Sequence, residues 1–172
     1  MSTDGRFPRG SGDRRGGGDR PGPDRRPDRG PVVREVSHGG VAVRIDDEAG
    51  TAEVLVITPR NTRVTGLPKG GGNPGETGEQ TAAREVREET GITVTVSERL
   101  GDVRYWYRRH GRRVQKTVHF YLCEFVEGNT DDHDDEVDDA RWLPLEAART
   151  QLTYPGERDM IERALSRLRP DR

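Results

Sequence analysis

Cysteine is nearly missing: Cys123 is the single thiol in 172 residues. No intramolecular disulfide and no cysteine-ligated metal centre is therefore open to the chain. Cys123 stands in the apolar run from Val118 to Val126, where a buried small residue is expected rather than a reactive thiol. Long hydrophobic runs are missing too. Nothing approaches the ~20 apolar residues of a membrane span, and the N-terminus lacks the apolar stretch of a secretory signal. A cytoplasmic location without a membrane partner is expected. Lysine is scarce, with Lys69 and Lys116 alone, and arginine supplies the rest of the basic charge. Neither sign dominates. The formal net charge of −2 argues against the chain as a whole being a nucleic-acid binder. Apolar residues make up 29% and charged residues 35%, too polar for a core along the full length.

That polarity is concentrated at one end. Residues 1–31 are almost entirely Gly, Arg, Asp, Pro and Ser, with Phe7 the one large apolar residue. Such a segment cannot bury enough surface to offset its ordering entropy, so a disordered tail is expected at 1–31 and a folded domain at 32–172. Eight arginines in the tail would allow a weak contact to RNA or a membrane surface. The five interleaved aspartates cancel much of that field and favour a solubilising tail.

From Val32 onward the pattern changes. Val36 to Ile45 reads as a strand with Val41, Val43 and Ile45 on one face, and Ala52 to Thr58 as a short buried strand. Thr77 with Gln80 three residues on is a capping-box pattern, and Gly91 stands where a helix ends, so a helix is expected between them. Ile92 to Val96, Val103 to Arg108, Arg113 to Phe125 and Arg141 to Leu143 read as strands. Leu145 to Leu152 and Arg158 to Leu168 carry helical spacing. Strands interspersed with a few helices predict an α/β fold with a mixed sheet between helical layers.

The chemistry is concentrated between Gly70 and Ile92. Glu85, Glu88 and Glu89 stand at i, i+3 and i+4, which puts three carboxylates on one side of the helix. Arg84 is placed to pair with Glu88, while Arg87 lies on another side. An acidic face of this kind is either simply solvated or relieved by a hard divalent cation with oxygen ligands, magnesium or manganese. The preceding Leu67-Pro68-Lys69-Gly70-Gly71-Gly72 favours the cation. It is richer in glycine than an ordinary connection, and its backbone is free to approach a ligand closely.

Gly70, Glu76, Arg84-Glu85-Val86, Glu88-Glu89, Gly91 and Ile92 fill nine positions, without a gap, of a pattern that resembles the box of the Nudix hydrolase family. Gly39-Gly40-Val41 and Arg141-Trp142-Leu143-Pro144 resemble that family's flanking elements, so the likeness spans about residues 32 to 168. The resemblance implies a Nudix-like α/β/α sandwich with a mixed sheet. It implies a metal-dependent enzyme that cleaves a phosphoanhydride bond in a nucleoside diphosphate-linked substrate. Glu85, Glu88 and Glu89 would hold Mg2+ or Mn2+ with the Gly70 carbonyl. Arg84 would orient a glutamate of the site, and Glu76 would pair with Arg84 or reach metal through water. Lys69 would sit near the substrate phosphates. The general base is open between a box glutamate and an acidic residue of a later loop. In the run Asp131 to Glu136, the candidate base is Glu136; the other reading of the run is a solvated loop. His119 is either a groove residue or a satisfied strand histidine.

Substrate is less legible. The segments Lys116 to Leu122 and Leu152 to Pro155 resemble the branch holding MutT-type and diadenosine polyphosphate hydrolases. Tyr107, with Tyr105 and Trp106, is either a base-stacking surface or ordinary sheet packing. A diadenosine polyphosphate is the expected substrate. The alternatives are a MutT-type nucleoside triphosphate pyrophosphohydrolase and a non-catalytic nucleotide-binding module. Gly71, Asn73 and Thr65 depart from the branch's usual residues.

Overall fold

The computed structural model describes residues 30–169. The expected tail therefore lies outside the described residues, apart from Gly30 and Pro31.

In chain order the elements are β1 (Val33–Asp46), β2 (Thr51–Pro59), β3 (Lys69–Gly70), α1 (Gly78–Thr90), β4 (Ile92–Arg109), β5 (Arg112–Gly128), a 3-10 turn (Thr130–Asp132), β6 (Val137–Pro144), α2 (Leu145–Gln151) and α3 (Pro155–Leu168). Six strands form one sheet in the order β4-β5-β1-β2-β6, with β3 paired to β1. The β1–β5 ladder is parallel and the others are antiparallel, so the sheet is mixed.

Strand alternation sorts the core into two layers. Val41, Val43, Val118, Phe120 and Leu122 face Leu145, Leu152, Met160, Ile161 and Ala164 of the α2–α3 layer. Ala42, Leu55, Tyr121 and Cys123 face Ala82 and Val86 of α1. Cys123 is fully buried, and burial pushes its thiol up to about 12, so it is inert packing.

Several boundaries differ from the sequence expectation, β6 for example beginning at Val137 rather than Arg141. Ile92 to Val96 and Val103 to Arg108 are not separate strands but the two ends of β4. Register shifts at Thr93/Val94, Val96/Glu98 and Arg99/Gly101 break the alternation without ending the pairing. The short β3 is set by its partner, His38 facing Gly70 and Gly39 facing Lys69, and two residues carry no periodicity. α3 starts at Pro155 rather than Arg158, because proline suits the first turn of a helix.

Candidate active site

Helix α1 is closed at both ends as its sequence demands. The Thr77 side chain accepts from Gln80 N and the Gln80 side chain accepts from Thr77 N. Gly91 caps the far end at φ 76°, the left-handed region that glycine occupies without strain. Between them, Ala82, Val86 and Thr90 are buried against the sheet, and the glutamates are carried to the edge of that buried face.

Arg84 organises the cluster. Its guanidinium makes a bidentate pair with Glu76 (2.8 and 3.0 Å) and donates to Glu85 Oε1 (2.9 Å), Glu88 Oε2 (3.0 Å) and the Gly71 carbonyl (2.8 Å). Glu76 also accepts from Asn73 N and the Thr81 hydroxyl. The Arg84 and Asn73 hydrogen bonds hold its carboxyl down at about 2. One arginine thus ties the Gly71 end of the loop to the carboxylate face of the helix.

The three box glutamates are not equivalent. Glu88 is half exposed, whereas Glu85 and Glu89 are each 8% exposed. Burial pushes the Glu85 carboxyl up, against the pull of Arg84. Burial pushes Glu89 further, to about 8; the Lys69 N–H it accepts (3.2 Å) opposes this, and the Glu85 charge adds to it. Gly70 lies against Glu85: a Cβ there would collide with the carboxylate. Among the described residues no three acidic or imidazole side chains form a ready metal cage. What the site does hold is two buried, mutually repelling carboxylates beside a glycine with no side chain, with oxygen donors only. That donor set fits a hard divalent cation.

The acidic run 131–136 is not a free loop. Asp134 N donates to the Glu88 carbonyl (2.9 Å), and Glu136 O accepts from Arg60 N (2.9 Å). The negative charges of Glu136 and Asp134 reach Glu85 and Glu89 respectively and help raise them. The loop that carries Glu136 is therefore anchored beside α1, though it comes from a distant stretch of sequence.

The other face of the sheet carries cations and aromatics. Lys69 Nζ lies 3.9 Å from Glu157, a residue of α3 that is 2% exposed and also accepts from Leu67 N (2.7 Å). Burial raises Glu157, and its Oε2 has no hydrogen-bond partner. Lys116, half-buried in β5, is pushed down by burial and by Lys69. Tyr105 and Tyr107 stand 6.1 Å apart on this face. The Tyr107 hydroxyl donates to Glu35 (2.5 Å). Tyr105 is 39% exposed, and burial of its hydroxyl, with Tyr107, Glu157 and Tyr154 nearby, pushes it to about 12.

His119 does not join this group. It lies on the α1 face, its Nδ1 2.5 Å from Asp102, with its ring 5.1 Å from His38. Strand alternation from Lys116 puts it on the opposite side. Sequence reasoning missed Glu157, and Tyr154 entered it only within the Leu152 to Pro155 likeness. Glu157 reads as an ordinary charged residue in a helix, and only the packing of α3 on Leu67 reveals its burial.

The NUDIX domain family profile matches residues 36–164, and the chain belongs to that family. It is 42% identical over 135 residues to the putative mutator protein MutT4 of Mycobacterium tuberculosis (strain CDC 1551 / Oshkosh), covering 76% of this chain and 54% of that protein. It is 38% identical over 130 residues to the 8-oxo-(d)GTP phosphatase of Mycolicibacterium smegmatis (strain ATCC 700084 / mc(2)155), covering 76% of this chain and 38% of that protein. The chain thus spans about half or less of these relatives' length. Among solved structures, a C. elegans Ap4A hydrolase binary complex superposes with a TM-score of 0.64 at 25% identity, covering 78% of this chain and 97% of that one. Among the described residues no helix is long and apolar enough to cross a membrane.

Proposed function

We propose that the chain is a divalent-metal-dependent hydrolase of nucleoside polyphosphates that cleaves a phosphoanhydride bond by attack of water. The observation that carries this reading is the Arg84-centred cluster, which holds Glu76, Glu85, Glu88 and the Gly71 carbonyl together, with the buried Glu89 within reach of the Glu85 charge. Glu85, Glu88 and Glu89, with the Gly70 carbonyl, would hold Mg2+ or Mn2+. When bound, the metal neutralises phosphate charge and lowers the pKa of water.

The chain's own residues supply the rest. Lys69 and Lys116 offer positive charge to the polyphosphate. Arg84 fixes the glutamates so that little reorganisation accompanies reaction. Glu136 is the candidate acceptor for the proton of the attacking water, with Glu88, the exposed box glutamate, as the other. Water's oxygen forms the new P–O bond as the bridging P–O bond breaks, and the leaving phosphate departs with the electron pair.

For substrate, we favour a diadenosine polyphosphate attacked in its bridge to release a mononucleotide. Tyr105 and Tyr154, 39% and 47% exposed, offer base-stacking surface beside Lys69 and Lys116. The fold likeness to an Ap4A hydrolase agrees with that reading. The second reading is hydrolysis of oxidised purine nucleoside triphosphates, favoured by the identity to an 8-oxo-(d)GTP phosphatase. Both suit a cytoplasmic enzyme. Comparing kcat/KM on diadenosine polyphosphates with that on common and oxidised triphosphates decides between them. A triphosphate preferred by more than about tenfold, ~1.4 kcal/mol in transition-state binding, would replace the dinucleotide reading.

A further inference from the structure

The α1 face of the sheet is covered only in part. Val86 packs on Gly40, and Gly78, at the start of the helix, packs on His38 and Tyr121. Beyond His38 the sheet continues without that cover. Val36 is paired to Thr117 and Thr117 to Arg104. Arg34 is paired to Gln115 and Gln115 to Trp106. Arg113 is paired to Arg108. Alternation places all of these on one face. The position of Arg113 over the Trp106 ring, 4.9 Å from its centroid, agrees. Arg34, Val36, Arg104, Trp106 and Arg108 are exposed, Val36 and Trp106 by just over half.

Arg34, Arg104, Arg108 and Arg113 stand in these rows, and no position of the rows is an aspartate or glutamate, on a chain whose net charge is −2. The nearest carboxylate on this face is Asp102, engaged by Arg99 (2.6 Å) and His119 (2.5 Å). Among the described residues, Arg34 and Arg104 have no carboxylate partner. At the β4 edge an open concavity of about 630 Å3 is lined by Arg99 and Arg104, by Arg163 of the opposite α3 layer, and by Asp102 as its one acidic residue.

We propose that this face is a docking surface for single-stranded nucleic acid. Guanidinium rows follow a phosphate chain, and an exposed indole stacked by an arginine extends onto an unpaired base. A duplex offers no free base to Trp106, and a flat sheet face presents no helix or protruding ribbon to a major groove. An anionic membrane would match the charge. However, the apolar residues here, Val36 and Trp106, are flanked by Gln115 and Thr117 rather than forming an insertable cluster. The face also adjoins the candidate active site. His38 is the register partner of Gly70, and Val36 and Arg34 follow at about 7 and about 13 Å along β1, at ~3.3 Å per residue. The whole-chain charge hides this surface, because acidic residues elsewhere cancel it in the sum.

The test uses the full-length protein and fluorescein-labelled oligonucleotides of about 20 nucleotides, longer than one ~4–16-nucleotide site. Single-stranded RNA, single-stranded DNA and a duplex are compared by anisotropy in EDTA, so the probe stays intact. Single strands are expected to bind more tightly than the duplex, with affinity falling as salt rises. Trp106→Ala and the pair Arg34→Glu, Arg104→Glu are each expected to weaken binding about tenfold or more. Their melting temperatures and turnover on a small nucleotide should match wild type. Wild-type affinity in both variants would overturn the proposal and assign binding to the arginine-rich segment before β1. A preference for duplex, no measurable binding, or variants that lose only their sedimentation with anionic phospholipid vesicles would overturn it equally.

Discussion

Stripping the divalent cation should expose the cost of burying Glu89. Its carboxyl is raised from the ordinary 4.5 to about 8, chiefly by burial. The unfolded chain releases that proton near the ordinary value, while the folded chain retains it to about 8. Between those values the folded state carries the extra proton, so stability falls as pH rises. The stabilisation is complete below the unfolded value and lost once pH passes the folded one. At ~1.4 kcal/mol per tenfold change in proton affinity the ceiling is about 5 kcal/mol, and water admitted to the metal-free site reduces the expected effect to about 2 kcal/mol. Glu85 and Glu157 are raised and act in the same sense, while His38, lowered by burial, acts in the opposite one. A comparison with Glu89→Gln cancels these contributions, and the glutamine oxygen still accepts from Lys69 N. Urea unfolding in EDTA at pH 5 and pH 8 should show wild type losing about 2 kcal/mol more than the variant. Saturating Mg2+ or Mn2+ should restore wild type at pH 8. Equal pH dependence in the two proteins would refute the assignment of buried charge to Glu89.

Glu88→Gln should abolish nucleotide hydrolysis with circular dichroism and melting temperature unchanged; turnover near wild type would remove Glu88 from the site. Arg84→Ala should lower kcat by at least ~100-fold, on the scale of losing one preorganised electrostatic group, and a change confined to KM would make Arg84 a binding residue only. Glu157→Ala leaves Leu67 N–H without its acceptor and the Lys69 ammonium without its counter-charge. It should cost about 1–3 kcal/mol in urea unfolding, while Glu157→Gln, which keeps an acceptor, costs less than half of that. Deleting residues 1–29 should move stability by less than about 1 kcal/mol, and a larger loss would mean that this segment packs on the domain.

The helix carrying the glutamates was legible because its signals are local. The Thr77–Gln80 box, the closing Gly91 and the i, i+3, i+4 glutamates all lie within fifteen residues and point to one element. The pairing of Arg84 with Glu88 follows from the same spacing. β4 was misread because three register shifts reset its alternation, and period-2 reasoning sees each reset as an end. β3, the burial of Glu157, and the contact of loop 131–136 with α1 are products of tertiary pairing between distant segments. His119 and Lys116, three residues apart in one strand, separate to opposite faces, which alternation foretells once the register is known. The arginine face was hidden for a related reason: its members come from three strands, and only the β1–β5 and β4–β5 registers bring them together.

In the proposed function the Arg84 cluster and its glutamates make a metal-dependent phosphoanhydride hydrolase. The direct measurement is product identification by mass spectrometry after incubating diadenosine tetraphosphate, and in parallel 8-oxo-dGTP, in 18O-labelled water with Mg2+ or with EDTA. The expected result is cleavage in Mg2+ alone, with a single 18O in one phosphate product and none of it after Glu88→Gln. Equal cleavage in EDTA, or no cleavage of either nucleotide with Mg2+ present, would contradict it.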